Sequence, residues 1–258
     1  MHKLWLSSLA LLLLEIVRVY CGEIRIHNAS ELIQFKDDVR SGTDYSGSTV
    51  FLDSDLSLAG KTFEPIGTDS NYFFGVFDGQ GHVISNLNMS SSSLQYVGLF
   101  GYSTGLTIKN VILDSSCSIT SSYSSSYYVY IGGIIGYCIS KDKLCTIENS
   151  VDMGSVAFSG YAGSGMFIGG IAGYLISSNH DITVKNCANY GDVTFSGTTY
   201  SLCIGGIVGQ FLDSSLTNKV FIYNCLNYGT VTHNGATTNT IHMGGFLDTP
   251  NTQLSRIV

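Results

Sequence analysis

The chain has 258 residues, only 12% of them charged, and a formal net charge of −7. That acidity provides no basic stripe to neutralise phosphates, which argues against a nucleic-acid surface. Thirty glycines beside two prolines, with sixteen tyrosines, suit short strands joined by many turns.

Residues 1–21 read as a secretory signal peptide. Lys3 supplies a basic start, and Leu4 to Leu14 form an apolar core too short to span a bilayer comfortably. Val19 and Cys21 fall at the −3 and −1 positions of a cleavage site after Cys21. The other reading is an uncleaved signal anchor, whose longer apolar run Glu15 and Arg18 interrupt. No other segment is apolar enough to suggest a transmembrane span.

Residues 22–60 read as an N-terminal cap and first strands. Glu23-Ile24-Arg25-Ile26 alternates as a strand does. A helix is expected over 28–39, with Ser30 as its cap, Leu32, Phe35 and Val39 on one apolar stripe, and Gly42 as its stop. Such a helix would cover the open end of a stack of strands, which otherwise presents an unpaired edge. Thr49-Val50-Phe51-Leu52 and Phe73-Phe74-Gly75-Val76-Phe77 read as strands, and Asp78-Gly79-Gln80-Gly81 as a turn into His82-Val83-Ile84.

Residues 61–248 carry a repeat. Gly98-Leu99-Phe100-Gly101 returns as Ile131-Gly132-Gly133-Ile134-Ile135-Gly136, Ile168-Gly169-Gly170-Ile171-Ala172-Gly173, Ile204-Gly205-Gly206-Ile207-Val208-Gly209 and Met243-Gly244-Gly245-Phe246. The spacing is 35–39 residues, a period at which each repeat buries its apolar face on its neighbours. Between the phrases recur Asn110, Asn149, Asn186 and Asn224, with Asn86 as a candidate first member. Ile108, Ile147, Val184 and Ile222 precede them by two, and Ile112, Val151, Ala188 and Leu226 follow by two. Strict alternation puts each Asn on the same inward side as these aliphatics. Seven and nine residues beyond each Asn come Cys117, Val156, Val193 and Val231, then Ile119, Phe158, Phe195 and His233. These registers predict an all-β chain: a right-handed parallel β-helix of three-strand coils with a buried column of stacked amides. A β-propeller has a similar period, but near-identical inward ladders favour stacking. Residues 249–258 read as a short tail or as the truncated end of a longer product.

Six cysteines follow the leader. Cys117 and Cys145 occupy aliphatic registers and read as small buried hydrophobes. Cys187 and Cys225 share a register after the laddered Asn, so a disulfide between successive coils competes with a packed thiol pair.

The glycine phrases, with their lead-in Phe74-Gly75-Val76-Phe77-Asp78-Gly79-Gln80-Gly81-His82-Val83-Ile84, resemble the GLUG motif over about residues 23–248. The resemblance implies a secreted or cell-surface protein. Some proteins with this motif also carry a zinc metallopeptidase that cuts immunoglobulin A, but no His-Glu-x-x-His occurs here. The resemblance therefore implies architecture and no peptidase activity.

No catalytic, cofactor or metal site is expected. Gly101-Tyr102-Ser103-Thr104-Gly105 matches a Gly-x-Ser-x-Gly pattern but lies in a β array instead of a strand-to-helix elbow. Asp53, Asp55, Asp69 and Asp78 could supply paired carboxylates for glycoside cleavage, but read more simply as turn and strand-end residues. His180, His233 and His242 fall at unrelated repeat positions. A partner is expected at an irregular loop over 115–130 carrying Tyr123, Tyr127 and Tyr128 among serines, a composition suited to adaptable contacts. Asn28-Ala29-Ser30 and Asn88-Met89-Ser90 are N-glycosylation sequons at Asn28 and Asn88. Two functions remain: a secreted or surface-displayed, adhesin-like module binding an extracellular protein or glycan, or a carbohydrate-active β-helix enzyme.

Overall fold

The computed structural model describes residues 22–245. The leader read at 1–21 and the tail at 249–258 lie outside these residues. The chain winds into a parallel β-solenoid whose register partners, such as Ile131 and Ile168, are 37 residues apart.

One turn shows the plan. Tyr128–Gly132 forms wall I, Ile135–Ile139 wall II, Cys145–Glu148 wall III, Val151–Asp152 wall IV and Ser155–Phe158 wall V. Tyr161–Ala162 returns to wall I, and Gly165–Gly169 opens the next turn. There are thus five walls where three strands per coil were expected. The glycine phrase is a corner between walls I and II, and the segment after each laddered Asn is a separate two-residue strand.

The entrance is closed by helix α1, Ala29–Arg40. Leu32, Phe35 and Val39 are buried, and the Phe35 ring meets Tyr45, Phe73 and Phe77 at 5.0–5.9 Å. Asn28, not Ser30, is the cap: its Oδ1 accepts from the Ser30 and Glu31 N–H groups. Glu31 reaches back to the His27 N–H, so three backbone donors at the helix start are satisfied by the two side chains. At the other end the Gly42 N–H bonds to the Val39 carbonyl with φ 111°, as expected for a glycine stop.

Inside, like stacks on like. Ile108, Ile147, Val184 and Ile222 form one column on wall III, and Cys145, Ile182 and Val220 another. On wall V, Val156, Val193 and Val231 align, as do Phe158, Phe195 and His233, with the last three rings stacked. The preceding turn is offset from expectation. Ile119 aligns with Val156 and Ser121 with Phe158, because the Asp114 to Cys117 turn is two residues longer than Met153-Gly154.

The Asn column exists but faces outward. Asn110, Asn149, Asn186 and Asn224 have φ 52–56°, in the left-handed region that Asn tolerates. This conformation breaks the alternation. Val111, Ser150, Cys187 and Cys225 turn inward instead, while Ile112, Val151 and Ala188 are partly exposed and Leu226 exposed. Outside, each amide Nδ2 donates to the Oδ1 of the turn before, at 3.2, 2.9 and 3.2 Å. Asn110 donates to Asp78, which begins the series; Asn86 lies one corner further along the chain.

Candidate functional site

The corner between walls I and II is concave on its outer side. Tyr130 and Tyr137 point outward from the two walls, and their rings meet edge to face at 5.0 Å. The strands also approach backbone to backbone. A Cβ at Gly136 would lie 2.8 Å from the Val97 nitrogen, and one at Gly173 would lie 2.8 Å from that of Ile131. The last glycine of the second, third and fourth phrases is thus required by this close approach.

Aromatic columns line the cleft. Tyr96, Tyr130 and Phe167 align on wall I, and Tyr102, Tyr137 and Tyr174 on wall II. Tyr96–Tyr130, Tyr130–Phe167 and Tyr102–Tyr137 are near-parallel stacks at 5.0–5.3 Å, and Phe167 stacks on Tyr174 at 4.6 Å. Their faces are occupied by one another. Burial pushes the Tyr96 and Tyr174 phenols up to about 12. The cleft is therefore a small outer core at neutral pH, with neutral hydroxyls at its rim.

Beside it, the outer surface of wall I is open. Tyr127 is 71% exposed, Tyr128 44%, Tyr161 47% and Tyr200 52%. They project from successive turns among Ser122, Ser124, Ser126 and Ser159, which are exposed as well. At the lower edge, Arg40, Thr68, Asp69, Gln95, Tyr96 and Tyr123 line a recess of about 250 Å³. Gln95 is held by the Tyr128 carbonyl, and Arg40 by Glu64 and the Pro65 carbonyl.

The expected loop over 115–130 is therefore ordered wall: it contains the strands Ser118–Ser121, Ser124–Ser125 and the start of Tyr128–Gly132. Tyr123 packs partly on the core and borders the recess, while Tyr127 and Tyr128 face solvent. Tyr161 and Tyr200 were not singled out from sequence. Tyr161 is in register with Ser124, and Tyr200 falls at a register shift, so no shared position marked them. The cleft rings did have a signal, an aromatic two residues before the first glycine of the phrase and one directly after its last glycine.

The carboxylates near the entrance, Asp53, Asp55 and Asp78, are each engaged by fixed partners. Asp53 binds Arg25 at 3.0 Å and Gln80 at 2.7 Å, and Asp55 binds the Val83 N–H and His82. The Arg25 bond holds Asp53 below the usual carboxylate range, and the Val83 N–H does so for Asp55. Burial pushes Asp78 up, but Asn110, the Gln80 N–H and Lys109 together outweigh it and hold it low. A glycosidase acid needs the opposite shift. Ser103 is buried, with its hydroxyl on the Phe73 carbonyl, so it is no nucleophile. Among the described residues, no cluster of three or more His, Cys, Asp or Glu could hold a metal, and no helix is long and apolar enough to cross a membrane.

Asn28 is exposed, but its amide caps α1 and donates to Glu31. Asn88 is exposed at the start of the strand Asn88–Ser91. Cys145 is not a lone hydrophobe: it forms a disulfide with Cys138 across the corner between walls II and III. Cys187 and Cys225 stack on successive turns as hydrogen-bonded thiols, unbridged in this structure.

No protein-family model matches the chain, and no curated protein does. Among solved structures, the chain is similar to a Bacteroides ovatus protein described as a "putative immunoglobulin A1 protease". The TM-score is 0.54 at 22% identity, over 90% of this chain and 80% of that one. At that identity the likeness concerns the fold. The chain is a β-solenoid.

Proposed function

We propose that this chain is a secreted or surface-displayed, adhesin-like β-helix repeat protein of the GLUG type, without catalytic activity. Its binding face is wall I, and its partner is an extracellular protein or glycan. The observation that carries this reading is the set Tyr127, Tyr128, Tyr161 and Tyr200, exposed on one wall among serines. Tyrosine offers large amphipathic contact area at low entropic cost, and serine adds adaptable hydrogen bonding. The stacked cleft beside them supports Tyr128, whose ring lies 6.3 Å from Tyr130 and 5.6 Å from Phe167. Polysaccharide cleavage is disfavoured because Asp53, Asp55 and Asp78 are held ionised by fixed partners. Immunoglobulin A cleavage is disfavoured because the His-Glu-x-x-His motif is missing from the sequence.

The test is a binding screen of the secreted chain on glycan arrays, matrix proteins and cell surfaces. It is repeated with the Tyr127→Ser, Tyr128→Ser, Tyr161→Ser, Tyr200→Ser variant. We expect a hit whose affinity falls at least about tenfold in the variant, since aromatic anchors dominate interface energies. A hit unaffected by the four changes, or polysaccharide cleavage without binding, would contradict the proposal.

A further inference from the structure

A buried polar seam runs through wall IV. Leu56, Ile84, Leu113, Asp152, Asn189 and Asn227 occupy one inward register on successive turns. The column is apolar up to Leu113 and polar from Asp152 onward. The change coincides with an extra residue in the glycine phrase. Gly98-Leu99 faces the turn with Leu113, whereas Gly132-Gly133 faces the turn with Asp152. The second glycine makes room. A Cβ at Gly133 would lie 1.8 Å from the Asp152 Oδ2, one at Gly170 2.4 Å from the Asn189 Cγ, and one at Gly206 2.2 Å from the Asn227 Cγ.

The hydrogen bonds in the seam have a direction. Asn227 Nδ2 donates to the Gly229 carbonyl at 2.9 Å. Asn189 Nδ2 donates to the Gly191 carbonyl and to Asn227 Oδ1 on the next turn, both at 2.8 Å. By the same pattern Asn189 Oδ1 should accept from the turn below, which is Asp152. Asp152 Oδ1 accepts the Gly154 N–H at 2.8 Å, but its Oδ2 is buried with no partner, and so is Asn189 Oδ1. Two orphaned acceptors in register on adjacent turns cannot satisfy each other. A single hydrogen between them would satisfy both.

We propose that Asp152 is a neutral carboxylic acid in the folded chain and donates its Oδ2 hydrogen to Asn189 Oδ1, so that a proton joins two turns of the solenoid. Loss of that proton leaves a buried carboxylate against a carbonyl oxygen and loosens the stack there. The surroundings agree. Burial pushes the Asp152 carboxyl up to about 8. Leu113 lies below it, Asn189 above, and the Gly133 and Gly170 backbones opposite, none of them charged. The titratable group facing it is the Cys117 thiol, buried and raised to about 12, and therefore neutral throughout the relevant range.

The direction of the pH effect follows. Between the ordinary aspartate value near 4 and the folded value near 8, the folded chain holds a proton that the unfolded chain has released. This contribution to stability is fully present below about pH 4 and is lost as pH rises to about 8. Over that interval the folding constant should fall about tenfold per pH unit through this group. Asp152→Asn supplies the same donor without a titration.

The experiment compares urea unfolding of the wild type and Asp152→Asn between pH 4 and 9. The infrared carboxylic-acid carbonyl band of the folded wild type is followed in parallel. We expect the difference between the proteins to grow in favour of Asn as pH rises and to level off above about 8. We also expect an acid band at pH 6–7 that is absent from the variant. Parallel pH profiles would overturn the proposal. So would an ionised Asp152 at pH 6, which the infrared band reports even if the variant fails to fold.

Discussion

At the residue scale, four asparagines decide how each turn bends. The recurrence of Asn110, Asn149, Asn186 and Asn224 was legible in the sequence, as were the aliphatic columns that precede them. Their direction was not, because strict alternation assumes that every residue is extended. One left-handed residue per turn reverses the parity, so the next side chain points inward and the amides stack outside. Two effects then meet at Asn186: tolerance of φ 53°, and hydrogen bonds to Asn149 and from Asn224. Replacing it by Ala loses both and should cost about 1–3 kcal/mol. Replacing it by Gly keeps the conformation and loses only the bonds, so Asn186→Gly should be the milder variant. Urea midpoints of the two variants settle this, and equal losses would mean that the backbone conformation contributes nothing. The buried seam was missed for the same reason as the Asn orientation: with parity unbroken, Asp152 and Asn189 appear to face solvent.

At the element scale, corners matter more than strands. Register logic finds residues that stack on successive turns, and it did bring Cys187 beside Cys225. It is blind to pairs that cross a corner within one turn, which is how Cys138 at the end of one strand meets Cys145 at the start of the next. Their sequence separation of 7 closes a short loop. In the chain-entropy account, such a loop is worth roughly 2–3 kcal/mol. The Cys138→Ser, Cys145→Ser variant should lose about that much stability. Cys187→Val, Cys225→Val, which keeps two small apolar groups in the wall, should stay within about 1 kcal/mol of the parent. A melt in which the second variant suffers more than the first would contradict this assignment. The glycine phrase belongs to this scale too. Its repetition was plain in the sequence, but its purpose, a re-entrant corner where two strands touch backbone to backbone, required the path of the chain.

At the scale of the whole molecule, each turn contacts its neighbours along one axis, so stability accumulates turn by turn. Helix α1 closes one end, and wall I carries the exposed tyrosines along the side. The fold class and the capping helix followed from periodicity and one amphipathic stripe, which are local signals. The proposed binding face followed only in part: Tyr127 and Tyr128 lie in the serine-rich stretch the sequence marks, but Tyr161 and Tyr200 come from later turns where they share no register with them. The seam and the tyrosine face both depend on successive turns lying directly over one another. Thr146 and Thr183 are outward-facing register partners on wall III, whereas Thr120 lies on wall V. The direct measurement is mild oxidation of Thr146→Cys, Thr183→Cys beside Thr146→Cys, Thr120→Cys, with the new disulfides mapped by mass spectrometry. In-register stacking predicts rapid bridging of the 146–183 pair and none of the 146–120 pair. Failure of the first pair, or equal bridging of both, would contradict the stacked solenoid and the two proposals built on it.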